Sequence, residues 1–532
     1  MITKKITALA CVFAFISASG CGTAIPDNRD IIDNYVDESS SLTSSVADDS
    51  KTEIKQTNIA VKKINYTKYD KTLQAENGVK SGNTKVATER KGYKGKGYIT
   101  GFNGKDSRWS IGFSLNYSQF YNVSITAACN KPANCKLAIN GEIIGDVSLS
   151  GGKAFETFSL NNIYIPKGEA VISLVTDGQA IDVDYVRVLA VKNTIVSTLS
   201  DKTSLANKNA DANTKGLYKY IKYNYGKKVL LGQHDTIGTK LETDMIYEVT
   251  GKYPAIRFGD LMTFTEKENL AGEAEIQCAV DWNKTGGIVG YMWHWEDPMG
   301  SGEYYADKTD FDITKAVTKE KIATLSAEQI ETLHKKKKIS DECVAIIRDI
   351  DKISKQLKTL QDKGVAVLWR PIHEASNGYF WWGKDAASYK WLWNLLYERQ
   401  TNYHKLNNLI WVWSAQNSEW YVGDDKCDIL SADIYDKDNF SGQINTLLYL
   451  TKICSNKPIA ISECGNFPDM TKVAEENALW SYIGQWGGNY LIDKKGELIE
   501  DYNTAAHLKE VYNNTLVITK DKLPHFSNTQ TR

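Results

Sequence analysis

Val365-Ala-Val-Leu-Trp-Arg-Pro-Ile-His-Glu374 begins as an apolar run and ends on charged and polar groups. Just before it, Cys343-Val-Ala-Ile-Ile-Arg-Asp-Ile-Asp-Lys-Ile353 repeats its apolar residues at helical spacing. A helix followed by a short, nearly continuous apolar strand marks a parallel sheet covered on its faces. The pattern recurs. Further apolar runs are Val229–Asp235, Pro254–Phe258, Gly287–His294, Leu409–Ser414, Ile429–Tyr435, Pro458–Glu463 and Trp480–Trp486. Eight such units within residues 214–525 predict a (β/α)8 barrel. A doubly wound sheet is the alternative, but no Gly-rich phosphate loop follows the first strand.

Upstream, residues 66–191 change character. Tyr121-Asn-Val-Ser-Ile-Thr-Ala127, Lys136-Leu-Ala-Ile139 and Val171-Ile-Ser-Leu-Val175 are short strand-like runs. Asn140-Gly141 between such runs is a strong hairpin signal. Many short strands in one segment predict an antiparallel β-sandwich. Residues 192–213 read as a linker and the entry to the barrel. Residues 21–65 are rich in Ser, Thr, Asp and Lys and read as a tether that cannot bury a core. Residues 1–20 combine Lys4-Lys5 with a short apolar run, an export signal rather than a membrane span.

Lys and Arg number 64 and Asp and Glu 65, a formal net charge of -1, which gives no basic excess for nucleic acid. Lys335-Lys336-Lys337-Lys338 lies in a helix-like charged stretch and reads as a solvated face. Nine cysteines include no CxxC pair, which argues against a zinc knuckle or a disulfide-dense scaffold. Cys129 and Cys135 flank a turn, and a disulfide and two free thiols both remain open. The 14 Trp, 29 Tyr and 14 Phe are an unusually high count; many are expected in the core, but such rings also form platforms that stack on sugars.

The chemistry of a (β/α)8 barrel sits at the C-terminal ends of its strands. The fourth strand ends in Trp369-Arg370-Pro371-Ile372-His373-Glu374 and the seventh in Ser462-Glu463. Two carboxyls at one barrel mouth are the minimum for glycoside hydrolysis, one protonating the leaving oxygen and the other attacking. Gly378-Tyr379-Phe380-Trp381-Trp382-Gly383 follows Glu374, and four consecutive rings cannot all face one core. Trp293-His294-Trp295 and Trp486 end two further strands. A zinc HExxH helix and a GxSxG elbow are both absent from the sequence.

Leu368-Trp-Arg-Pro-Ile-His-Glu-Ala-Ser-Asn-Gly-Tyr-Phe-Trp-Trp-Gly383 resembles the acid/base segment of glycoside hydrolase family 26. The resemblance continues in Leu231-Gly-Gln-His234, Trp293-His294-Trp295, Ser431-Ala-Asp-Ile-Tyr435 and Ile461-Ser-Glu-Cys-Gly465. It implies a retaining endo-β-1,4-mannanase acting on plant β-mannans without a catalytic cofactor. Glu374 would be the acid/base and Glu463 the nucleophile. His294, Trp295, Arg370, His373, Tyr379, Trp382, Tyr435 and Trp486 would contact substrate. Tyr379 stands where the family often has Trp, which leaves β-1,3-1,4-glucanase and β-1,3-xylanase as alternatives, alongside a non-catalytic glycan-binding protein. Leu73-Gln-Ala-Glu76, Gly92–Phe102 and Ile181-Asp-Val-Asp184 resemble carbohydrate-binding module family 35. That implies a structural calcium held by Gln74, Glu76 and Asp184. Ala18-Ser19-Gly20-Cys21 resembles a bacterial lipobox, implying lipidation at Cys21 and a cell-surface location, with ordinary secretion as the alternative. The protein is expected to be a monomer that touches membrane only through that lipid.

Overall fold

The computed structural model describes residues 62–63, 66–104, 107–176, 178–192, 194–195, 203–264 and 270–524. The expected export signal, Cys21 and almost all of the tether lie outside them. Among the described residues, no helix is long and apolar enough to cross a membrane.

The sandwich has a six-stranded and a five-stranded sheet, and every strand pair in both is antiparallel. Glu156–Ile165 is one edge of the first and Glu142–Leu149 one edge of the second. Asn140 and Gly141 take φ of 52° and 89° between two paired strands, the positive values that a tight hairpin turn needs. Cys129 and Cys135 are buried free thiols, which settles that alternative against a disulfide.

The barrel strands are β1 Val229–His234, β2 Ile256–Asp260, β3 Ile288–Trp293, β4 Val367–Pro371, β5 Leu409–Trp413, β6 Ile429–Ile434, β7 Ile459–Cys464 and β8 Tyr482–Gln485. Each pairs in parallel with the next, and β8 closes on β1. Two features depart from eight regular β/α units. Only the short 3-10 turn Ser418–Trp420 lies between β5 and β6, where a helix was expected. A further strand, Val517–Ile518, adds in parallel to the start of β1.

Strand side chains alternate between the barrel interior and the surrounding helices. Leu230, Ile256, Ile288, Leu368, Ile410, Ile429 and Ala460 share one apolar cluster inside the barrel. Leu217, Tyr218 and Ile221 of helix Ala212–Asn224 belong to the same cluster, so this helix closes the end of the barrel opposite the chemistry. The next layer is filled by the Phe258 ring. It fits because Gly232 and Gly290 sit against it, where any Cβ would collide with the ring. Counting on by two from the interior residues, the strands deliver His234, Asp260, His294, Arg370, Ser414 and Asp433 to the opposite mouth.

Candidate active site

Glu463 is the penultimate residue of β7 and is almost fully buried. Its Oε1 accepts a bond from Arg370 Nη2, and its Oε2 accepts from the Tyr435 hydroxyl at 2.5 Å. Arg370 also donates to Asp433 Oδ2 at 3.0 Å and to Ser414 Oγ at 3.2 Å. The guanidinium thus fixes the mouth by joining β4, β5, β6 and β7. Burial pushes the Glu463 carboxyl up, but the Arg370 charge and the two donated bonds outweigh it and hold it below the ordinary range.

Glu374 lies just beyond β4, where the backbone turns sharply. Ile372 and Glu374 both sit in the left-handed region, at φ of 43° and 49°. For a β-branched residue this is a strained conformation, of a kind that costs about 1–3 kcal/mol and persists where surrounding structure enforces it. The Glu374 amide donates to Ser414 O at 3.1 Å, which anchors the turn to β5. Among the described residues, no hydrogen bond reaches the Glu374 carboxyl. Burial, then the Glu463 charge, push it up to about 7. One oxygen each of Glu374, Asp433 and Glu463 lie within 4.8 Å of one another. Arg370 already supplies the cation for this acidic group.

Three histidines form the floor and one wall. His294 Nδ1 meets Asp260 Oδ2 at 2.5 Å. Burial favours its neutral form, yet Asp260 reverses this and the net shift is upward. His373 packs edge-on to His294 with ring centres 4.6 Å apart. Burial and the Arg370 charge drive His373 well below its ordinary value, so it is neutral. His234 bonds Ser462 O through Nε2 at 2.9 Å, stacks on Phe258 and meets Trp486 at a tilt. Burial lowers it to about 4. His294 Nε2, His373 Nδ1 and His234 Nδ1 are buried and have no protein partner.

Tyr379 is the one exposed ring of its aromatic run, at 47%. Its carbonyl accepts from Ala306 N at 2.7 Å, and Tyr305 pairs with Phe380, so the β3 and β4 loops brace it from behind. Two expected contacts differ. Trp295 is fully buried, stacks on Trp293 at 4.1 Å and donates to Asp349, so its ring packs into the core. It follows His294 directly, and alternation turns it away from the mouth. Trp382 is also fully buried. Its Nε1 donates to His373 O at 2.7 Å and its ring stacks on Phe380, so it supports His373 from behind.

Arg370, His294, His373, Tyr435 and Trp486 all gather around the two glutamates. Asp260, Asp433, Ser414 and His234 join them without having been expected as site residues. Tyr490 lies 5.3 Å from the Tyr435 ring and Tyr502 4.5 Å beyond it. Tyr502 lines a depression of about 480 Å³ with Asp438, Phe440, Asp501 and His507.

In the sandwich, Gln74 Oε1 and Glu76 Oε2 are buried and unpartnered. Both side chains crowd Gly95, whose φ is +75°. Asp184 is buried beside them, accepting from Lys94 N at 2.9 Å. Burial, and after the Lys94 bond the Glu76 charge, act on this carboxyl, with a net upward shift.

The family model described as glycosyl hydrolase family 26 matches residues 206–522. A mannan endo-1,4-beta-mannosidase of Thermothelomyces thermophilus is 34% identical over 470 residues, 85% of this chain and 90% of that protein. The crystal structure of a Podospora anserina GH26-CBM35 beta-(1,4)-mannanase aligns at 31% identity and TM-score 0.54, covering 86% of this chain and 99% of that one. A ruminal GH26 endo-beta-1,4-mannanase aligns at 25% identity and TM-score 0.60, with the same coverage.

Proposed function

The chain belongs to glycosyl hydrolase family 26, and on that premise we propose that it is a retaining endo-β-1,4-mannanase acting on mannan, glucomannan or galactomannan. One observation carries the mechanism: two carboxyls with oxygens within 4.8 Å, one pushed up to about 7 and the other held low. Retaining enzymes place their carboxyls about 5–5.5 Å apart, against about 6.5–9.5 Å where a water must fit between them. Glu463 attacks the anomeric carbon as the glycosidic bond breaks, and the Glu374 proton passes to the departing oxygen. Glu374 then takes a proton from water, whose oxygen displaces Glu463 from the anomeric carbon. His294, His373 and Trp486 shape the subsite around that carbon, and Tyr379 stacks a sugar ring beyond it. The ring series Tyr435–Tyr490–Tyr502 and the depression beyond it suit a polymer rather than a short glycoside.

Reducing-sugar release from glucomannan, galactomannan, lichenan and β-1,3-xylan tests this. The mannans are expected to be cleaved. Turnover of lichenan or β-1,3-xylan alone would move the reading to one of the alternatives, and binding without turnover on all four would make the chain a glycan-binding protein. In Glu463→Ala, turnover should vanish on every substrate. In Glu374→Ala, an activated aryl substrate should still form the glycosyl-enzyme, and azide should release product of retained configuration.

The sandwich is, on this reading, a family 35 carbohydrate-binding module, supported by the alignment with a GH26-CBM35 protein along 86% of the chain. Its unpartnered Gln74 and Glu76 oxygens, with Asp184 beside them, fit a calcium ion. The ion would tie the first strand to the strand Asp182–Val191 paired with it. Chelation is then expected to lower the Tm and calcium to restore it, while an unchanged Tm would remove the metal. Lipidation at Cys21 and a cell-surface location rest on the lipobox-like residues alone. The full chain should fractionate with membranes and Cys21→Ser should release it; wild type found only in the medium would favour secretion.

A further inference from the structure

Helix Ile444–Ile453 follows β6, and its N-terminus ends the loop that carries Tyr435. The first amides of a helix need outside acceptors. The residue at the cap position, Gln443, has φ of 56° and makes no side-chain cap bond. Glu476 accepts from the Gly442 and Ile444 amides. A further acceptor comes from the sandwich. Glu142, first residue of its edge strand Glu142–Leu149, accepts from Thr446 N at 3.0 Å and from Asn445 Nδ2 at 3.1 Å. Asn445 in turn exchanges two bonds, each 2.9 Å, with the main chain of Tyr164 on the other edge strand, Glu156–Ile165. Phe120 and Tyr164 of the sandwich pack into the apolar cluster of the barrel. One helix end therefore meets one edge strand of each sheet of the sandwich, and the sandwich supplies part of that helix's cap.

We propose that Glu142 is a positioning residue for the catalytic site, capping helix Ile444–Ile453 from the other domain and so fixing the loop that holds Tyr435 against Glu463. This rests on the assignment of Glu463 as nucleophile. Helix N-termini sit on the catalytic side of the barrel, because helices run antiparallel to the strands they follow. Gly442, at the far end of the loop from Tyr435, is held by Glu476 and by Trp480 Nε1 on its carbonyl at 2.9 Å. Glu142 braces the next turn of the same backbone. Asp436 adjoins Tyr435 and acts electrostatically on Glu142, so the cap and the catalytic loop are close neighbours. Loss of water pushes the Glu142 carboxyl up to about 7, an unfavourable placement that its bonds to the helix offset.

The test uses the full chain and a short chromogenic aryl β-manno-oligosaccharide. Glu142→Ala should lower kcat by about three- to ten-fold, the size of a lost cap, with KM little changed. The acid limb of its kcat/KM profile should also move up, because Glu463 loses part of the Tyr435 bond that keeps it ionised. General loss of folded protein would scale the profile without moving that limb. Glu142→Gln keeps one acceptor for Thr446 N and should restore part of both effects. An unmoved acid limb in folded Glu142→Ala and Glu142→Gln, with kcat at the wild-type value or merely scaled, would overturn the proposal. Wild-type turnover and its loss in Glu463→Ala, measured alongside, test the nucleophile assignment separately.

Discussion

Removing one hydroxyl, in Tyr435→Phe, probes the asymmetry on which the mechanism depends. The Tyr435 oxygen lies 2.5 Å from Glu463 Oε2. Burial raises the phenol's own value well above the ordinary one, so it stays neutral and donates. A hydrogen bond to a charged group contributes about 1.5–3 kcal/mol. At 1.36 kcal/mol per pK unit, its loss should raise the acid limb of kcat/KM by about 1–2 pH units. The sign follows from roles. In the proposed mechanism Glu463 reacts as the carboxylate, so a weaker hold on that form means activity is lost earlier as pH falls. The alkaline limb should stay near 7, because Glu374 must be protonated and burial, its main perturbation, is untouched. The bell narrows from its acid side. Stopped assays across pH 3–9 on an aryl β-mannoside, with the Tm recorded at each pH, would measure it. An acid limb that stays in place or moves down would refute the reasoning.

Glu463→Gln removes the neighbouring negative charge, so the Glu374 carboxyl should titrate below about 7, read by infrared or NMR of that group; an equal or higher value would contradict the coupling. Asp260→Asn takes away the carboxylate facing His294 Nδ1, so the imidazole should titrate lower in an NMR titration, since burial already favours its neutral form. Arg257→Ala leaves Asp235 and Glu275, both buried and paired with Arg257 at 2.8 and 2.7 Å, without their cation. A loss of about 3–5 kcal/mol in urea unfolding is expected, and a near-neutral result would mean those carboxyls are satisfied elsewhere.

The barrel was legible because its strands are buried on both faces and interrupted by helices of clear period. The hairpin at Asn140-Gly141 was legible because positive φ is chemically restricted. The missing helix between β5 and β6 was not, since rings of the loop itself cover the barrel there: Trp420 lies 5.4 Å from the Tyr389 ring and Tyr421 meets Trp413 edge-on at 5.2 Å, contacts that no local pattern announces. Glu374 and Glu463 were readable from their strand ends. Asp260 and Asp433 could have been found by counting on in twos from Ile256 and Ile429, a rule that also excludes Trp295. Trp382 escapes that rule because Trp381–Gly383 is a 3-10 turn that folds the aromatic run back beneath His373. The contact between Glu142 and Thr446 joins segments about three hundred residues apart, and no local pattern encodes it.

The two glutamates differ in what surrounds them, and that difference suits both steps of the proposed reaction. Glu463 alone is bonded to Arg370 and Tyr435, so on the proposed mechanism it is the carboxyl that stays ionised and attacks. Glu374 is surrounded by burial and by the Glu463 charge, and both favour its proton. Once Glu463 becomes an ester in the glycosyl-enzyme, its negative charge is gone. The Arg370 charge, which lowers Glu374, then acts without that opposition. The Glu374 carboxyl must therefore fall at the moment when it has given up its proton and has to accept one from water. Burial remains and limits the fall, which keeps the group basic enough to act. An acid in the first step and a base in the second thus follow from one neighbour's change of charge, with no movement of the Glu374 backbone, which Ile372, the Ser414 carbonyl and the strained turn hold in place.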